Sequence, residues 1–565
     1  MRASARLILP LAVVLVLAAG CASQQPRPAS TGGSNAAAGT PKRITASIIG
    51  QPAALIARMN TGAVSVPGAN AVEQFVNGGM SEVLADGKLQ PQLAEAVPSL
   101  ENGLWKLLPD GRMELTWKIK PNAVWQDGTP ITSFDFVFTS VVDQDPELPV
   151  LRAEGYNAVE SVDAPDERTV VVFWKRSYIQ ADRMFSSIFA SPIPRHILEA
   201  PYQQGEKTTF LLLPYWSTEF IGAGPFKVKE YSLGSHLVVS ANDRYLLGRP
   251  KIDEIEIRFI PSVDTLMTNI IAGVIDVTMG RGLSIEQGLQ GRDQWQGGKM
   301  IVLPGSWVMI YPQHLDPSPA IVGDVRFRRA MLHAIDRQAM VDTLQAGLTS
   351  VADVYLNPAE PEYPAVKDSA VRHEYDPRKA AQMIQELGYT RGSDGTFRDS
   401  AGQSLTVEIR SGVLEVLQKT AVSIADNWNR VGVTTEPVLV PPQRISDRPY
   451  MWTFPSFLTL RQGNDPDYLT RYRIAQIPLP ENNFVGGNYG RYNNAEFDGF
   501  IQAYFATIPQ QARTEVMRQI VYHISDQVAL MGLFYDAEVM FLSNRMKDVT
   551  TTQSFLWDIH KWDVS

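Results

Sequence analysis

Residues 405–440 hold the pattern that most restricts how this chain can fold. LTVEIR at 405–410 alternates apolar and polar side chains over the length of a strand. The apolar positions then change to helical spacing through Val416, Thr420, Ile424 and Trp428, until Gly432 stops the helix. VTTEPVLV at 433–440 reads as a second strand. Two strands separated by a helix pair in parallel through a crossover, which is right-handed in nearly all proteins. An all-helical or all-antiparallel architecture is therefore excluded for this half.

The same alternation runs along the rest of the chain, with no repeat at a fixed period. ITASIIG at 44–50 reads as an opening strand, as do 168–174, 237–241 and the alternating run IDEIEIRFI at 252–260. Thr132 and Asp135 have the spacing of a capping box before a helix through Val137, Phe138 and Val141. Asp324 can cap a helix whose Phe327, Ala330, Met331, Ala334 and Ile335 share one face. Asp376-Pro377 is an N-cap followed by proline at the first helical position, and Gly388 ends that helix. Mixed alternation in both halves predicts two α/β lobes, and the cleft between lobes is where small-molecule sites form.

The first 21 residues predict the compartment. Arg2 and Arg6 precede an apolar run from Leu7 to Ala19, the length of a signal peptide and short for a transmembrane helix. The run ends in Leu17-Ala18-Ala19-Gly20-Cys21, which resembles a bacterial lipobox, although Ala18 stands where leucine is commonest. In that motif the cysteine thiol receives the lipid and cleavage occurs just before it. Cys21 is the only cysteine, so the folded body has no internal disulfide, thiol nucleophile or cysteine-ligated metal. A chain anchored this way needs two or three acyl groups to hold. Residues 22–41, rich in Gly, Pro, Ser and Ala, read as a flexible tether. The expected location is extracytoplasmic, lipid-anchored to the cell membrane.

Composition narrows the functions further. The net charge is −9, and becomes −11 once Arg2 and Arg6 leave with the signal, which argues against nucleic-acid binding. The seven histidines come no closer in sequence than His314 and His333, so no local metal chelate exists. His333 itself falls within a helical pattern and reads as a packed or surface residue. Gly-x-Ser-x-Gly is absent, and Gly297-Gly298-Lys299-Met300 lacks the Ser or Thr of a phosphate loop. Nothing calls for a catalytic group, a metal or a cofactor, and the chain is read as a non-enzyme.

Six segments, in order, resemble the family 5 extracellular solute-binding proteins, the peptide- and nickel-type receptors of ABC importers. They are WKIKPNAVWQDGTPITSFDFVFT at 117–139, GAGPFKVKEYSLGSHLVVSANDRYLLGRPKIDEIEIRFI at 222–260, AGVIDV at 272–277, VRFRRAMLHAIDR at 325–337, YDPRKAAQMIQELGY at 375–389, and DPDYL with YNNAEFD at 465–469 and 492–498. The resemblance implies a two-lobed periplasmic-binding-protein-like α/β fold, with an extra domain inserted in the first lobe. It places a signal peptide at 1–20, the lipidated cysteine and tether at 21–42 and the first lobe at 43–300, with the insert at about 56–214. The second lobe occupies 301–530, and 531–565 returns to the first. The implied function is capture of an oligopeptide or peptide-like solute and its delivery to a membrane permease by a monomeric, membrane-anchored receptor. A haem, a metal chelate or an oligosaccharide stays open as cargo, as does a non-transport lipoprotein that regulates or scaffolds cell-envelope processes.

In peptide-binding members of that family an aspartate shortly before the Asp-Pro element pairs with the peptide's α-ammonium. Here LRQGNDPDYL places Gln462 at that position, and glutamine accepts a hydrogen bond without supplying charge. Arg461 beside it is suited to a carboxylate or to solvent. Aromatic residues gather nearby in MWTFPSF at 451–457 and around Trp307 and Tyr311. Trp452, Arg461, Gln462, Asp465 and Tyr468, with Trp307 and Tyr311, form the expected ligand-binding group.

Overall fold

A computed structural model describes residues 40–60, 66–84, 88–148, 150, 154–186, 189–444, 447–550 and 558–565. Cys21, the expected signal and the expected tether through residue 39 lie outside the described residues, while Lys42 at its end bonds Asp253 and Asp563. In the body, Pro41–Ser565, one ten-stranded sheet organises everything else. Across it the strands run Thr434–Leu439, Thr406–Ser411, Phe457–Gln462, Gly298–Pro312, Met531–Ser543, Val277–Thr278, Arg43–Ile48, Glu254–Phe259, His236–Ala241 and Phe226–Ser232.

Two strands hold this sheet together. Gly298–Pro312 and Met531–Ser543 pair antiparallel from Gly298 opposite Ser543 to Ile310 opposite Met531. Fifteen residues of strand extend about 50 Å, more than one lobe needs. One end of the pair is flanked by Val277–Thr278 at Leu542, the other by Phe457–Gln462 along 307–312. Both strands are thus shared by two halves with separate cores. Ile44, Leu237, Ile255 and Ile257 fill one, and Val308, Phe327, Ile409 and Trp428 fill the other.

The parallel unit read from 405–440 is present. Thr406–Ser411 and Thr434–Leu439 pair in parallel and helix Glu415–Val431 connects them. That helix buries Leu417, Ala421, Ile424 and Trp428. Gly432 ends it at φ +98, a left-handed conformation that favours glycine. The caps at Asp324 and Asp376 also form, each side chain accepting from backbone N–H groups of its own first turn. The buried face of helix Val325–His333 is the one read from spacing, and His333 is buried beside the Glu374 carbonyl at 2.6 Å. The opening strand is shorter than expected. Its pairing stops at Ile48, opposite Phe259, and Ile49 leaves the sheet.

Among the described residues the chain adds no strand to the main sheet between Ile48 and Phe226. Here Trp105–Leu107, Met113–Lys118, Thr169–Trp174 and Val159–Asp166 make a separate antiparallel sheet, which packs with helix Ser133–Gln144. Its buried Trp117 and Trp174 belong to one continuous apolar core with Trp307, Met309 and Tyr311 of the long strand. At the other end of the chain, Met546–Lys547 pairs with Asp563–Val564, and Trp562 enters the core that holds Ile44.

Candidate functional site

Strand Phe457–Gln462 determines where the expected ligand group goes. Gln462, Leu460 and Leu458 stand opposite Trp307, Met309 and Tyr311, whereas Arg461 and Thr459 stand opposite Val308 and Ile310. Successive strand residues face opposite sides, so Arg461 and Gln462 cannot share a surface.

On Arg461's side, strands Phe457–Gln462 and Met531–Ser543 carry a compact charge cluster that Arg281 joins. Arg461 donates from Nε to Asp536 at 2.5 Å and from Nη2 to Glu538 at 2.8 Å. Asp536, whose side chain is 1% exposed, also meets Arg281 Nη1 at 2.8 Å and accepts from Gln345 Nε2 at 3.1 Å. Burial opposes the charge of Arg461, but Asp536 and Glu538 outweigh it and raise its pKa. Burial, then the like charge of Arg461, lowers that of Arg281.

Beside this cluster lies a cavity of about 390 Å³ between the halves. Ile49, Leu283 and Leu289 line it from one half, Leu344, Leu414 and Val416 from the other, with Asp536 and Arg281 in its wall. Ile49 and Leu414 follow the carboxyl ends of their strands, the position where open α/β sheets hold ligands. At the rim Lys419 reaches Glu415 at 2.9 Å in its own helix and Glu286 at 3.4 Å in the opposite half.

The strand also has an open edge. Thr406–Ser411 pairs with it only at Phe457–Thr459, so Leu460–Gln462 are paired on one side alone among the described residues. The turn at Gly412 adjoins this edge: a Cβ built there would stand 3.4 Å from Leu460.

On Gln462's side the expected aromatic residues come together. Tyr311 donates its hydroxyl to Gln462 Oε1 at 3.1 Å, which takes one of the two lone pairs of that amide oxygen. Tyr311 meets Tyr489 edge-on at 5.7 Å, and Tyr489 stacks on Trp452 at 3.7 Å with 9° between planes. Trp307 and Tyr311 are core residues, 1% and 0% exposed, while Trp452 and Tyr468 are partly exposed. Tyr355, Tyr472 and Tyr489 complete the group and were missed in sequence, where they lie outside the aromatic-rich segments. Trp307 Nε1, Tyr472 Oη and Asn464 Nδ2 are buried without a hydrogen-bond partner among the described residues.

Asp465 and Tyr468 lie past the strand end. Asp465 caps the turn Pro466–Tyr472, accepting from the Asp467 and Tyr468 N–H groups at 2.9 and 3.3 Å. Burial, then the charge of Asp467, raises the pKa of its carboxyl. Tyr468 packs over Gly463, with Arg471 4.8 Å from its ring centre. The segment after the smaller sheet meets this region: Ile179 N–H donates to the Phe505 carbonyl at 2.9 Å, and Gln180 bonds Asp467. Arg183 stands 3.9 Å from Asp467.

No group of three or more potential metal-binding side chains, and no helix long and apolar enough to cross a membrane, occurs among the described residues. The oligopeptide-binding protein AppA of Bacillus subtilis is 24% identical over 570 residues, covering 98% of both chains. Its structure in complex with a nonapeptide matches this fold with a TM-score of 0.71 at 22% identity, covering 93% of this chain and all of that one. NikZ from Campylobacter jejuni, solved in complex with Ni(L-His), matches with a TM-score of 0.72 at 18% identity, over 93% of this chain and 100% of that one. These likenesses establish the two-lobed α/β architecture. The family's sequence profile covers residues 88–484, most of the chain, and the protein therefore belongs to the bacterial extracellular solute-binding proteins, family 5.

Proposed function

We propose that this protein is the receptor of an ABC importer, capturing oligopeptides or peptide-like solutes between its halves and delivering them to a membrane permease. The observation that carries the reading is the strand edge at Leu460–Gln462, open among the described residues, whose Arg461 bonds Asp536 in the cavity wall. An extended peptide can add to such an edge through main-chain hydrogen bonds while pockets take alternate side chains. AppA of Bacillus subtilis, similar along nearly its whole length, supports a peptide as cargo. The relatives are receptors rather than enzymes.

In this reading the first lobe is 43–300, with an inserted domain at about 56–214; the second is 301–530, and 531–565 returns to the first. The separate four-stranded sheet supports the insert. The chain works outside the cytoplasm as a monomer, held to the membrane by lipid on Cys21, and the lipobox-like run before that residue supports the anchor. A second reading keeps the receptor but changes its cargo to a chelate, haem or oligosaccharide. Gln462 favours it, since an uncharged amide already engaged by Tyr311 offers no counter-charge to an α-ammonium.

Native mass spectrometry of the untreated purified protein tests the reading. Discrete added masses that resolve into peptides on denaturation are expected. A released chelate, haem or sugar would replace the peptide reading by the second.

A further inference from the structure

Building on the peptide reading, we infer that the interlobe cavity selects an uncharged, branched-aliphatic segment of its solute. Two independent features of the wall carry this. Ile49, Leu283, Leu289, Leu344, Leu414 and Val416 converge on a space of about 390 Å³, large enough for a few aliphatic side chains and too small for a long peptide. The charges buried in the inner wall are already matched inside the protein, and only at the exposed rim do two carboxylates share one lysine. Asp536 is held by Arg281 and Arg461, Glu538 by Arg461, and Lys419 by Glu415 and Glu286. The inner cluster of two arginines and two carboxylates is neutral as it stands.

A charged side chain reaching the inner wall would lose its water and meet no free counter-ion there, and would also disturb pairs that are already formed. An aliphatic side chain would exchange water for carbon on several sides at once. Removing three carbons, leucine to alanine, at one buried position weakens such binding roughly 50-fold. Placing an unpaired charge there weakens it by about 100-fold or more. Gln462 extends the pattern beyond the cavity, because the nearby polar position is neutral as well.

The test uses the full chain, purified in mild detergent, with four capped probes: the acetyl-tripeptide amides of leucine, alanine, lysine and glutamate. Calorimetric titration should rank leucine first, with lysine and glutamate at least about 100-fold weaker. Leu289→Trp and Val416→Trp fill the cavity from opposite halves. Each should lower trileucine affinity at least about 10-fold while leaving far-UV circular dichroism unchanged. Having two walls guards against one variant failing to fold. Charged probes binding as tightly as trileucine would overturn the inference and leave the peptide reading standing, as would wild-type trileucine affinity in a folded variant. Binding of none of the four would overturn both together.

Discussion

Replacing Asp536 by asparagine removes one negative charge from a side chain that is 1% exposed, with little change of shape. Arg461 keeps a partner, because Glu538 lies 2.8 Å from its Nη2. Arg281 does not: among the described residues Asp536 is its only ion-pair partner. Breaking one side of a buried pair costs about 3–5 kcal/mol, and since the Arg281 side chain is 17% exposed the lower figure applies, about 3 kcal/mol. Arg281→Met alone should cost about 1–2 kcal/mol, because Asp536 retains Arg461 and Gln345. The double variant strands neither charge, so it should lose about 2 kcal/mol rather than the sum, a coupling of about 2–3 kcal/mol. Urea unfolding followed by tryptophan fluorescence measures all four proteins, and repeating it in about 0.5 M salt should change little, since buried pairs are weakly screened. Stability of Asp536→Asn within about 0.5 kcal/mol of wild type, or strict additivity in the double variant, would refute the reasoning.

Glu360 supplies a pH prediction. Its carboxylate has no hydrogen-bond or ion-pair partner among the described residues; burial, then the charge of Asp465, raises its pKa from 4.5 to about 7. A raised carboxylate stabilises the fold when protonated, so its contribution is full below pH 4.5 and is lost as pH rises through about 7. Glu360→Gln should therefore gain about 2 kcal/mol over wild type at pH 8, after discounting for partial exposure, and nothing at pH 4. Equal gains at both pH values, read from urea midpoints, would show that the charge is not the cause. Gly532→Ala probes the two long central strands: its Cβ would stand 2.1 Å from the Ala352 carbonyl oxygen and 2.9 Å from the Trp307 ring. A loss of about 3 kcal/mol is expected in urea unfolding, and an unchanged midpoint would contradict the close approach of these segments.

Much of the fold was legible because its signals are local. The Asp324 and Asp376 caps, the left-handed Gly432 and the parallel unit at 406–439 depend on residues within one turn or one strand of each other. The aromatic group was only partly legible. Trp452 and Tyr311 lie in aromatic-rich segments, but Tyr489, which joins them, gave no sign of its role. The charge cluster was illegible, since Arg281 lies 255 residues from Asp536, and Gln345 lies 191 away. No periodicity connects positions so distant, because only the folded sheet brings them together.

Arg461 and Gln462 mark the division most clearly. Their identities and neighbouring positions are properties of the sequence, whereas the strand that carries them, and with it the two-residue alternation of side chains, appeared only in the structure. Which face each one occupies followed from the pairing of that strand with Gly298–Pro312, which turns Gln462 to the aromatic side and Arg461 to Asp536 and Glu538. By itself the sequence determined an α/β chain, since capping, periodicity and turn chemistry act over a few residues, and its six motif segments carried the resemblance to family 5. The tertiary structure alone decided which charges are matched, which strand edge stays open and what lines the cavity. Those depend on contacts across hundreds of residues, which form only when two long strands carry both halves of one sheet.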